Sequence, residues 1–211
     1  NKEYTIEQLI AYVNTGSYRE IYEEVKEADI TNPSLALVNK YNYLKEDYVP
    51  QDLKDVSIWY SYEGRKLSNT AYEPFINLFN ACKDEGLNIV LYAGYRSYKD
   101  QNIIFNTYKD DYGERYADEN STRAGHSENQ LGLSINIVSY YNASADFSTT
   151  NEYAWIKDNA HNYGFILRYP EGKEYITKYE YQPYLFRYVG QEAATVIYNE
   201  NLTLEEYVAY Y

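Results

Sequence analysis

The chain has 211 residues, with 19 Lys and Arg against 32 Asp and Glu, a net charge of −13. That length suits one large domain, or one domain with a small appendage, and it can bury a sizeable core. The acidic balance argues against a nucleic-acid partner and against an anionic membrane face, and no stretch approaches the length of a membrane span.

Two short helices are expected first. "YTIEQLIAYVN" opens on a Thr5 cap and spaces Ile6, Leu9, Ile10 and Val13 helically. Gly16 breaks it, and "YREIYEEVKEAD" follows with Ile21 and Val25 inward and an acidic outer face. From Asn32 the texture changes. "SLALVNKYN" reads as a strand leading into an extended "EDYVPQDL" around Pro50, and "VSIWYSY" as another strand. Residues 69–86 form an amphipathic helix ending at Gly86. "LNIVLYAGY" is a buried strand. A helix then opens at Ser97 and closes at Gly113, and "ERYADENSTRAG" is a polar loop.

In "AGHSENQLGLSINIV", Leu131, Leu133, Ile135 and Ile137 alternate with Gly132, Ser134 and Asn136, the period of a strand with one buried face. "TTNEYAWIKDNAHNYG" is a Thr-capped helix, "FILRYP" and "YLFRYVG" are strands, and residues 190–200 form a core helix. The final "LTLEEYVAYY" echoes the first helix but reads as independently capped rather than as a repeat. The class is α+β with a small, largely antiparallel central sheet flanked by helices, and residues 1–33 form a helical extension ahead of a domain over 34–211.

A single cysteine, Cys82, continues a stripe with Phe75, Leu78 and Phe79 and belongs to the core. It forms no internal disulfide, so the redox compartment stays open. With two histidines, His126 and His161, any His-based metal site uses one of them or does not exist. The 30 tyrosines have two readings: compositional drift, or aromatic lining of grooves and surfaces. With no methionine and Asn at position 1, the native start is expected to have been removed.

Four blocks in order, "GYRSYKDQ", "RAGHSENQLGLSIN", "WIKDNAHNYGFILRYPEGKE" and "YQPYLFRYVG", resemble the VanY-type D-alanyl-D-alanine carboxypeptidases, zinc peptidases of the M15 (LAS) group. The resemblance spans residues 34–208 and implies a LAS/hedgehog-type fold. The family pattern is Ser-x-His-x-x-Gly-x-x-x-Asp and a later Glu-Pro-Trp-His. Its His, Asp and last His hold zinc, which lowers the pKa of a bound water, and its Glu takes the proton.

By that resemblance Ser127, Gly132 and Pro183 are kept. The first His position is Asn129, the Asp position Asn136, the Glu position Gln182, the Trp position Tyr184 and the last His position Leu185. No zinc is therefore expected, and no other cofactor is implied. Arg96, Ser97 and Gln101 match the family's Tyr-Arg-Ser-x-x-x-Gln block in the substrate cleft, with Arg123, Ser127 and Ser134 as further polar contacts. Ser97 is equally a helix cap, and Gln101 equally a bond to a neighbouring loop.

Three functions remain open. The first is a non-catalytic relative that binds a cell-wall stem peptide. The second is a scaffold that binds a protein partner through its acidic helices and tyrosines. The third is an active carboxypeptidase with a displaced site. The resemblance implies a bacterial surface location, either secreted or tethered by a removed segment.

Overall fold

The computed structural model describes residues 4–143 and 146–211. Helix α1 spans Ile6–Asn14 and is closed by a Thr5–Gln8 capping box. Strands β1 (Lys26–Glu27), β2 (Asn42–Tyr43), β3 (Leu53–Asp55) and β4 (Lys66–Ser68) precede helix α2 (Asn69–Asp84), strand β5 (Ile89–Ala93), and helices α3 (Tyr98–Tyr112) and α4 (Glu114–Asn120). Then come β6 (Ser134–Ser139), α5 (Asn151–Asn159), β7 (Phe165–Leu167), α6 (Glu174–Thr177), β8 (Leu185–Tyr188), α7 (Gln191–Asn199) and α8 (Leu204–Tyr210).

The main sheet has four strands in the order β5-β6-β8-β7, and each neighbouring pair is antiparallel. One core joins this sheet to α2 and α5 through Phe75, Leu78, Ile135, Ile137, Ile156 and Phe186, and it includes Cys82. A mixed fold with a small antiparallel sheet is thus what the sequence pattern predicts. A smaller cluster seats α7 and α8 on β7 through Ile166, Ala194, Ile197 and Leu204.

Five local expectations are corrected. Residues 18–29 are not helical: Tyr22 and Glu24 take positive φ values of 61° and 47°, and β1 pairs in parallel with β2. Tyr22 is held by tertiary contacts, with its backbone N–H on the Lys40 carbonyl, its ring edge on His126, and Arg123 over its face. Those contacts outweigh the propensity of an acid-rich segment. Val25 is exposed rather than inward.

The strand expected over 34–42 shrinks to β2, because the carbonyls ahead of it serve another partner. The Arg187 guanidinium donates through Nη2 to the Pro33 carbonyl at 2.7 Å and to the Ser34 carbonyl at 3.2 Å. Residues 57–61 form a turn, with the Tyr60 and Ser61 N–H groups on the Ser57 carbonyl, and Ile58 and Trp59 are exposed. The loop expected over 114–125 begins as α4, a polar helix that buries Ala117 and whose Asp118 pairs with Arg123 at 2.7 Å. The strand expected from Leu131 starts at Ser134. It follows a short 3-10 turn (Glu128–Leu131) that ends on Gly132 at φ 69°, and both its faces are largely buried.

The apolar stripe of α1 also points outward. Ile6, Leu9, Ile10 and Val13 are exposed and only Ala11 is buried. The first residues nevertheless join the main body, since Ser17 donates to the Ile176 carbonyl at 2.9 Å.

Two arginines and two glutamates are buried together. Arg168 donates through Nε to Glu128 at 2.7 Å and through both terminal nitrogens to Glu205 at 2.9 and 2.6 Å. Arg187 Nη1 lies 3.2 Å from the other Glu128 oxygen. Burial alone would raise the Glu205 carboxyl, but the Arg168 charge and hydrogen bonds from Arg168 and Asn39 outweigh it and hold its pKa below the ordinary 4.5. Its contribution to stability is therefore complete above pH 4.5 and is lost as pH falls through the lower folded value. Replacing Arg168 with Met strands the buried Glu205 carboxylate, leaves Glu128 with Arg187 alone, and is expected to cost about 3–5 kcal/mol in urea unfolding at neutral pH. It should also remove the acid-sensitive part of the stability that Glu205 supplies. A loss under about 1 kcal/mol would mean that the cluster does not anchor the fold.

Candidate functional site

A cavity of 580 Å³ opens beside β6 and β8. Asn136 on β6 and Leu185 on β8 are cross-strand partners in its floor. Asn129 comes from the 3-10 turn and Gln182 from the loop before β8, so four positions separated by up to 56 residues line one space. The positions that the sequence pattern singles out are therefore brought together.

Their chemistry is closed and neutral. The Asn129 amide nitrogen donates to the Gly94 carbonyl at 2.7 Å and to the Asn136 amide oxygen at 3.0 Å. Both side chains are nearly fully buried, so this bond satisfies groups that would otherwise cost free energy. Leu185 packs with Tyr169 and Tyr179 and offers no donor atom. The backbone locks the same region, because the Arg96 N–H donates to the Asn129 carbonyl at 3.0 Å. A methyl group at Gly94 would collide with the Lys66 carbonyl, so the close approach of β4 to the site requires glycine there.

The one acid lining the cavity among the described residues is Glu128, whose carboxylate is engaged by Arg168 and Arg187. Among the described residues, no group of three or more His, Cys, Asp or Glu side chains could hold a metal ion. Amides are hard, neutral donors that suit Zn²⁺ poorly, and a leucine is no ligand, so the residues present do not fit zinc.

The cavity keeps a cation. Arg96 reaches Gln101 Oε1 through Nη1 at 2.8 Å, and the Gln101 amide nitrogen donates to the Thr122 carbonyl at 2.7 Å. Partial burial lowers the Arg96 pKa, and among the described residues no carboxylate forms an ion pair with it. Asp100 acts on it only at a distance, and a desolvated guanidinium with no ion-paired carboxylate favours an incoming one. Ser127 also lines the space.

Three further candidate contacts lie elsewhere. Ser97 caps α3, with its hydroxyl accepting from the Asp100 N–H at 3.1 Å. Arg123 clamps Asp118 at 2.8 and 2.7 Å and covers Tyr22 and Phe105. Ser134 is fully buried at the start of β6. None of the three is among the described residues that line the cavity. The histidines are also outside it. His126 bonds the Asn39 carbonyl through Nδ1, and burial lowers its pKa. His161 stacks on Tyr198 with centroids 4.0 Å apart. The walls include residues that the pattern does not mark: Tyr62, Tyr92, Ile104, Tyr108 and the Asn120–Thr122 stretch. The four-residue spacing of Ile104, Tyr108 and Tyr112 is the readable trace of one wall.

Known proteins share this architecture. The VanY profile, described as D-alanyl-D-alanine carboxypeptidase, matches residues 64–191. The chain is 42% identical over 199 residues to the YodJ protein of Bacillus subtilis (strain 168), provisionally named a carboxypeptidase, covering 88% of this chain and 73% of that one. The structure of the LdcB LD-carboxypeptidase, described in terms of peptidoglycan recognition, aligns with a TM-score of 0.78 at 42% identity, covering 84% of this chain and 87% of that one. VanYB, solved in complex with D-alanine-D-alanine, aligns with a TM-score of 0.75 at 31% identity, covering 84% and 98%. Fold, profile and sequence agree, and the chain belongs to the VanY family of D-alanyl-D-alanine carboxypeptidases.

Proposed function

We propose that this chain is a non-hydrolytic, metal-free member of its family that works at a bacterial surface by holding the end of a cell-wall stem peptide. The observation that carries this reading is the buried Asn129–Asn136 amide pair facing Leu185. In the family's pattern these three positions carry the zinc ligands, and zinc would supply the activated water. Here an amide bonds an amide, and a hydrocarbon side chain fills the third place. Gln182, at the position of the family's base, has no basicity near neutral pH. Neutral replacements suit a metal-free pocket, since an unpaired buried carboxylate would be costly.

The cavity is of a size for ligand binding, and its features favour a peptide carboxyl end. The Arg96 fork is presented to the cavity and steadied by Gln101. Tyr62, Tyr92, Tyr108 and Tyr184 give it apolar walls with hydroxyl rims. The D-alanine-D-alanine complex of VanYB and the peptidoglycan recognition described for LdcB support the choice of ligand.

Isothermal titration with a peptide ending in D-Ala-D-Ala should give measurable heat. Arg96→Met should weaken binding at least about tenfold, the loss expected for removing one charge-assisted hydrogen bond. No D-alanine should be released, with or without added zinc. Absent heat, together with unshifted amide resonances near Arg96, would remove the peptide and favour a protein-binding scaffold. Chelator-sensitive release of D-alanine would overturn the non-hydrolytic reading.

A converse variant tests the frame. Asn129→His, Asn136→Asp, Gln182→Glu and Leu185→His together should create zinc affinity measurable by calorimetry. Zinc binding no stronger than that of the parent would show that the backbone no longer holds those positions in ligand geometry.

A further inference from the structure

The cavity wall on α3 continues into an exposed tyrosine platform. Ile104 and Tyr108 line the cavity, and Tyr112 lies one turn farther along the same helix face. Tyr116, from α4, closes the group. The ring centroids of Tyr108 and Tyr112 are 6.2 Å apart, those of Tyr108 and Tyr116 6.3 Å, and those of Tyr112 and Tyr116 4.9 Å. The Tyr108 and Tyr116 rings are stacked in nearly parallel planes, at an interplanar angle of 14°. These are surface rings: 37, 63 and 42% of Tyr108, Tyr112 and Tyr116 is exposed. Tyr108 and Tyr112 continue the helix face that buries Gln101 and Phe105, and they stay exposed at the end of α3, where the core no longer covers that face.

We propose that this platform binds the N-acetylated sugars of the glycan strand that carries the stem peptide. The proposal rests on the peptide reading of the cavity, because Tyr108 belongs to both surfaces. A peptide held at Arg96 leaves the opening covalently attached to a sugar, and the surface that continues the wall is aromatic. Pyranose rings present C–H faces that stack on tyrosine rings, and their hydroxyl and acetamido groups meet the phenolic rim. Asn120, which lines the cavity and bonds the Tyr116 carbonyl at 3.0 Å, places a polar amide between the two surfaces.

Charge selects the same occupant. Asp110, Asp111 and Glu114 surround the platform in sequence, and the whole chain carries −13. A polyanion is disfavoured there. A glycan strand whose lactyl carboxyls are tied up in amide links to peptide presents a neutral face.

The test uses three probes: the stem peptide alone, the same peptide linked to its N-acetylglucosamine–N-acetylmuramic acid disaccharide, and a glycan oligomer without peptide. In titration calorimetry the disaccharide-peptide should bind about tenfold tighter than the peptide, the change that ~1.4 kcal/mol produces. The double variant Tyr112→Ala/Tyr116→Ala should lose that increment and keep the affinity for the peptide, and the single variant Tyr116→Trp, which keeps an aromatic face, should keep the increment. Both variants alter exposed rings, and circular dichroism checks their fold. Equal affinity of the parent for peptide and disaccharide-peptide overturns the platform and leaves the peptide reading standing. Should the peptide fail to bind at all, the glycan oligomer decides: shifted Tyr112 and Tyr116 ring resonances uphold the platform alone, and unshifted ones overturn it.

Discussion

Everything around the cavity hangs on one buried charge cluster. Arg168 follows β7, Arg187 lies on β8, Glu205 begins α8, and Glu128 opens the turn that carries Asn129. Their side chains are at most 5% exposed. Two positive and two negative groups balance, so the interior carries no net charge from them. Taking four ions out of water is expensive, and a hydrophobic cluster of the same shape could equal it in stability. What it adds is direction. The Arg168 fork fixes Glu205 and with it the C-terminal helix, while Arg187 donates through Nη2 to the carbonyls of residues 33 and 34 and through Nε to that of Tyr188. The N-terminal region, the sheet and the last helix are tied to one another through it.

The same cluster sets the chemistry of the site. Glu128 is the carboxylate nearest to serving as an acid or base in the cavity, and both of its oxygens face arginines. Once it is spent, the polar groups left at the floor are amides, a serine hydroxyl and the guanidinium of Arg96. Such a set can orient and hold a ligand. On the proposed reading it neither generates hydroxide nor takes a proton from water at neutral pH. The Asn129–Asn136 bond and the packed Leu185 make the floor satisfied and rigid, which suits recognition by a preformed surface.

Much of this was legible in the chain, for identifiable reasons. Helices α2, α3, α5 and α7 and strands β5 to β8 carry their own periodicity and caps, such as Ser97 for α3 and Thr150 for α5. The segments that misled are those fixed by distant partners. Residues 34–42 give carbonyls to Arg187, more than 150 positions away, and no local pattern announces that. Residues 18–29 are governed by where Tyr22 docks, and α4 is a polar helix with no apolar stripe to announce it. At the site, Asn129, Asn136, Gln182 and Leu185 could be placed together because their spacing follows a family pattern. The cap role of Ser97 is readable from its place before α3, whereas the place of Arg123 is not, since it is set by Asp118, Tyr22 and Phe105 from separate parts of the chain. The aromatic walls were hidden among 30 tyrosines.

On the proposed reading, the floor of the cavity holds no zinc, because two amides and a leucine do not fit it. The direct measurement is an anomalous difference map at the zinc absorption edge, from crystals grown with the metal in excess. The account predicts no peak between Asn129, Asn136 and Leu185, with the two amides still bonded to each other. A peak there, with the amides parted and turned toward it, would contradict it.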